Sequence, residues 1–231
     1  MYRLNVWIGV LVCGMGFWGL GGCSSGTSDQ ATWRRQADPS QSTYKPTPTP
    51  PHEVGERLVG PTVYTVDARS HDIWMYFDFS RGAVVAVQNP KTDDWDLAFQ
   101  RHVIRTNGGE TNPAGQTALA TLEGGDFATL TQVPDDVLFI RDKRSPKRPV
   151  PYNPAIQKWY DYSYLANVLV PKPAIYLVRT QDGKYAKMRL LSYYCEGGVS
   201  GCMTFEYVYQ GDGSPDLDAS ARQVSQRLKK H

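Results

Sequence analysis

Short runs of alternating hydrophobic and polar residues fill most of this chain, with turn residues between them. Residues 62–66 read as a strand. In residues 73–79, Ile73, Met75, Phe77 and Phe79 fall on one side, and Trp74, Tyr76 and Asp78 on the other. That period of two is the mark of a half-buried strand. Ser80, Arg81 and Gly82 turn the chain into a short apolar strand, 83–87, which Asn89 and Pro90 end. Trp95, Leu97 and Phe99 alternate with Asp96, Ala98 and Gln100. Asn107, Gly108 and Gly109 form a turn. Later, residues 174–180 and 185–194 flank Asp182-Gly183, a strong hairpin cue, and 203–209 supply the last strand. The Thr/Gly/Ala-rich stretch 110–130 has no clear period, and 126–132 reads as a short helix or a loop. Strands and turns without interleaved helical patterns predict an all-β, mainly antiparallel domain over 59–212, with few short helices.

The two ends break this pattern. One basic residue, Arg3, precedes an apolar run from Val6 to Leu20, and small residues and Cys23 follow it. This is the layout of an export signal over residues 1–22. Leu20-Gly21-Gly22-Cys23 resembles the lipobox of bacterial lipoproteins, which implies a mature chain starting at a lipidated Cys23. Ser24 after it implies the outer membrane, on its periplasmic or cell-surface face. Residues 23–58 are Ser/Thr-rich and then Pro-rich, a composition that favours an extended spacer without packed structure. At the other end, Ser214-Pro215-Asp216 resembles a helix start, and Leu217, Ala221, Val224 and Leu228 recur at helical spacing. A short helix or tail is therefore expected over 213–231.

Composition adds limits. Fourteen Tyr and six Trp suit a pleated core. The net charge of +2 is too small to point to nucleic acid. Cys195 and Cys202 bracket a glycine-rich turn between two strand-like runs, and in an oxidising compartment they form a disulfide. No His lies near enough in sequence to make them a metal site. No nucleophile elbow, Walker loop or zinc-protease helix occurs, so a non-catalytic protein is expected. Asp93-Asp94 and Asp135-Asp136 are adjacent pairs, which point to opposite faces in a strand. Arg141, Lys143, Arg144, Lys147 and Arg148 make a basic loop, read as solvated or as a contact for anions.

Three blocks resemble the HmuY family of bacterial haem-binding lipoproteins. They are Trp74-Met75-Tyr76-Phe77 with Ser80-Arg81-Gly82; Asp94-Trp95-Asp96-Leu97-Ala98-Phe99-Gln100-Arg101 with Asn107-Gly108-Gly109; and Ile175-Tyr176-Leu177-Val178-Arg179 with Asp182-Gly183-Lys184 and Thr204-Phe205-Glu206-Tyr207. The resemblance implies a hand-shaped β domain, haem or a related porphyrin as ligand, and transfer to an outer-membrane transporter. Best-known members hold the iron between two His, and some relatives use Met. Here residues 133–173 contain neither. Tyr164 falls close to the expected ligand position, and a tyrosinate can ligate ferric iron. Tyr162 could substitute; Asn167, also close, is a poor haem ligand. Tyr152, Trp159, Tyr160, Tyr162 and Tyr164 are the aromatic candidates for a porphyrin, or else a half-buried strand face. His102 is a further candidate, or an ordinary strand residue. The second reading is a module that has lost haem ligation and recognises another ligand or a protein.

Overall fold

The computed structural model describes residues 38–55 and 58–218. The signal, Cys23 and the start of the spacer lie outside the described residues. Eleven strands appear in chain order: β1 (Leu58–Asp67), β2 (Met75–Asp78), β3 (Ala83–Val85), β4 (Leu97–Gln100), β5 (Val103–Thr106), β6 (Ala118–Glu123), β7 (Tyr160–Ser163), β8 (Val168–Pro171), β9 (Ala174–Arg179), β10 (Tyr185–Tyr194) and β11 (Ser200–Gln210). Every pairing is antiparallel. One sheet runs β1-β11-β10-β9-β6, a second β3-β2-β4-β5, and β7 and β8 form a separate hairpin.

The predicted alternation explains how the sheets meet. Phe77 and Phe79 from the second sheet interlock with Phe205, Tyr207 and Tyr209 from the first. The Phe77–Phe205 rings meet edge to face at 5.2 Å, a geometry their quadrupoles favour. The five-stranded sheet is covered on its other face too. Ala120, Leu177, Val133 and Leu217 cluster there, beside Phe127, Ile175 and Val208. Burial on both faces is why β9 reads as a continuous apolar run. Lys187 points into that outer layer, and its ammonium donates to the carbonyls of Phe127 and Leu130, each at 2.7 Å.

Two buried carboxylates tie loops to this frame. Asp96 accepts the amides of Phe79 (2.9 Å) and Gln181 (2.7 Å), so one side chain holds two turns together. Asp142 accepts the amide and hydroxyl of Thr106 and the hydroxyl of Thr111. The basic loop is anchored by this one inward residue. It can pack there because Gly109, at φ +61°, lets the Asp142 backbone approach; a Cβ would lie 2.2 Å from its carbonyl oxygen.

Several expectations need correction. The spacer is not free of packed structure from Asp38 onward. Thr47 donates its amide to the Thr65 carbonyl and accepts the Thr65 amide on its hydroxyl, both at 2.9 Å. Tyr44 accepts the Glu196 amide at 2.7 Å, and Lys45 pairs with Glu196 at 3.0 Å. The physical reason is that β1 is an edge strand, whose outward backbone groups need partners. Ser214-Pro215-Asp216 does not start a helix: Asp216 bridges Gln132, and Leu217 is fully buried, donating its amide to Thr131. The helical spacing beyond Asp218 lies outside the described residues. Residues 126–132 take the loop of the two alternatives, while the stretch without a clear period contains β6, a strand that was not expected.

Candidate ligand-binding site

The hairpin of β7 and β8 carries most of the predicted aromatic residues. It is rooted by Trp159, which is buried and donates its indole N–H to the His102 carbonyl at 2.9 Å. Trp159 therefore packs in the core. Tyr160 meets the Trp159 ring edge-on at 4.9 Å. His102 stands edge-on to Tyr160 at 6.0 Å and to Tyr193 at 6.5 Å. The fold thus brings His102 to the hairpin's root. Partial burial, and then the positive charge of Arg101, lower its pKa below the usual imidazole value, so it is neutral at pH 7.

Further out, Tyr162 donates its hydroxyl to the Asn167 side chain. Asn167 takes a left-handed conformation, φ +58°, that closes the turn. Tyr164 sits at the tip, 88% exposed, with its ring edge-on to Tyr162 at 4.9 Å. Leu165 beside it is fully exposed. The Tyr164 hydroxyl has no hydrogen-bond partner among the described residues. Tyr152 stands apart, paired with Lys143 and covered by the Arg148 guanidinium at 4.7 Å.

A cleft of about 660 Å³ opens on the other side of the hairpin. Its walls come from β6, residues 137–140, residues 154–158, and Asp161 with Lys172. Side chains alternate along a strand, so Asp161 faces the cleft while Tyr160 and Tyr162 face away from it. Tyr164 does not line it either. The structure therefore joins His102, Trp159, Tyr160, Tyr162 and Tyr164 along one hairpin, but gathers none of them around that cavity. Among the described residues, no group of three or more His, Cys, Asp or Glu could hold a metal ion.

A family model described as HmuY protein matches residues 70–207, more than half of the chain. The chain belongs to the HmuY family. Solved structures agree on the fold. An apo HmuY analogue from Tannerella forsythia is 16% identical, covers 69% of this chain and 99% of its own, and has a TM-score of 0.56. A candidate HmuY-like haem-binding protein from Bacteroides vulgatus is 23% identical, with 68% and 98% covered and a TM-score of 0.53. A candidate lipoprotein from Bacteroides fragilis is 25% identical, with 64% and 88% covered and a TM-score of 0.51. No curated protein matches the chain significantly.

As an HmuY-family domain, the chain uses its 94–101 block structurally. Trp95 is buried and donates to the Pro90 carbonyl at 3.1 Å, Phe99 stacks on Phe205, and Asp96 caps two turns, with no Arg partner among the described residues. Sequence reasoning did not mark Glu123, Leu138, Lys158 or Lys172 as neighbours. No spacing could have marked them, because they meet only when three separate segments fold around the edge of β6.

Proposed function

We propose that this chain is a non-catalytic, lipid-anchored envelope protein that captures haem or a related porphyrin on the β7–β8 hairpin. Tyr164 supplies the iron ligand in this reading. The observation that carries it is the hairpin tip, where a phenol with no hydrogen-bond partner among the described residues stands 88% exposed between Tyr162 and Leu165. Exposed rings and an exposed aliphatic side chain offer apolar contact to a flat macrocycle, and a phenolate is a known ligand of ferric haem iron. Family membership and the haem-binding description of the B. vulgatus relative support the ligand class. Anchoring through Cys23 at the outer membrane, and delivery to an outer-membrane transporter, belong to the same reading.

The second reading, a family member that has given up haem for another ligand, is favoured by the cleft lying on the opposite face from the phenols. Ferric haem titrated into the soluble domain separates the two. A saturable Soret change is expected, and Tyr164→Phe should lose the tyrosinate charge-transfer signature and at least tenfold in affinity. A spectrum equal to that of free haem with protein in excess would discard the proposal and leave the second reading.

A further inference from the structure

β6 is the outer strand of the five-stranded sheet. Its outer edge is paired once among the described residues, where Leu119 and Ile140 exchange both backbone hydrogen bonds, at 3.0 and 2.7 Å. That exchange fixes which way the edge faces. Leu119 turns its N–H and C=O away from β9, and backbone groups alternate along a strand, so Thr121 and Glu123 turn theirs the same way. The chain does not continue the pairing. Val137 and Phe139 peel off to pack against the outer layer around Leu177, and Leu138 is left 76% exposed. Among the described residues, the outward backbone groups of Thr121 and Glu123 have no backbone partner.

Thr121 and Glu123 both line the cleft of about 660 Å³. Its size is that of a small-ligand site, and Leu138, Pro154 and Ala155 give it apolar walls. Lys172 is occupied by Asp161 at 3.6 Å. Exposed Lys158 and exposed Glu123 line the same cleft and have no ion-pair partner among the described residues. The site thus offers a strand edge, an apolar wall, one free cation and one free anion.

We infer that the cleft binds a short free peptide in extended form, added to the edge of β6. The peptide backbone supplies the missing partners of Thr121 and Glu123, an apolar side chain meets Leu138, and its two charged termini answer Lys158 and Glu123. Main-chain pairing with an exposed edge is an established mode of peptide capture. A stretch of about four residues fills the free edge at a strand's rise of ~3.3 Å. The inference stands apart from haem capture, because the cleft and the hairpin phenols occupy opposite faces of β7.

The probe is the free tetrapeptide Ala-Val-Ala-Val, titrated to millimolar concentration and followed by two-dimensional amide NMR. The Thr121 and Glu123 amide signals should move saturably. The same peptide acetylated and amidated at its ends should bind at least tenfold more weakly. Glu123→Pro removes an outward donor while sparing the ladder with β9, and should abolish the Thr121 shift. Leu138→Arg, which fills the cleft from an exposed position, serves if the proline variant does not fold. Neither variant should alter a haem titration. Unmoved Thr121 and Glu123 signals, equal affinity of the blocked peptide, or unchanged binding by a folded variant would each overturn the inference.

Discussion

At the scale of single residues, Asp96 shows how burial changes a side chain's chemistry. Desolvation first, and the nearby Asp78 charge second, push its pKa from the ordinary 3.8 up to about 8. The folded state therefore keeps a proton that the unfolded chain releases near pH 4. Between about pH 4 and pH 8 the folded state binds more protons, so the contribution of Asp96 to stability falls as pH rises through that window. Urea denaturation across that range should show the decline, and Asp96→Asn should flatten it. An equal slope in both proteins would mean that Asp96 titrates normally in the fold. The sequence placed Asp96 in a strand whose aromatic and aliphatic residues, Trp95, Leu97 and Phe99, alternate with it. Only the fold shows that it caps the amides of both Phe79 and Gln181.

At the scale of elements, two hairpins carry opposite kinds of information. The β10–β11 hairpin was legible from Cys195, Cys202 and the glycines between them, and the two sulfurs are bonded in the fold. A crosslink over so short a loop removes little chain entropy, about 2.5 kcal/mol in the loop-closure account. Replacing both cysteines by Ser should cost roughly that much in chemical denaturation. A loss below ~0.5 kcal/mol would show that the flanking strands already hold the turn without it. Of the β7–β8 hairpin, β8 was not read and only β7 was legible, as one of two readings, a half-buried strand face. Which face it buried could not be read, because both faces carry side chains able to sit at an interface. Packing resolved it: Trp159 anchors the root in the core, while Tyr162 and Tyr164 are carried outward on the arm.

At the scale of the whole molecule, the N-terminal segment acts as a strap over the edge of the larger sheet. Residues 38–47 bond to β1, to the Tyr194 carbonyl and to Glu196, at both margins of the β1-β11-β10 unit. Each such bond is worth about 1 kcal/mol net, so the strap contributes about 2 kcal/mol or more. A chain beginning at Gly55 should melt ~5 °C below one beginning at Asp38. Equal midpoints in calorimetry would return this segment to the role of a plain spacer.

The sequence by itself determined most of the strands, though not β5, β6 or β8, together with most of the turns that join them and the family. These follow from local periodicity, turn chemistry and contiguous motifs, all of which act over a few residues. The tertiary structure alone decided which edges stay open, where the N-terminal segment docks, and that the phenols and the cleft stand back to back across one strand. Those features depend on which distant segments meet, and that is set by the packing of whole sheets, on which a short window of residues carries no information.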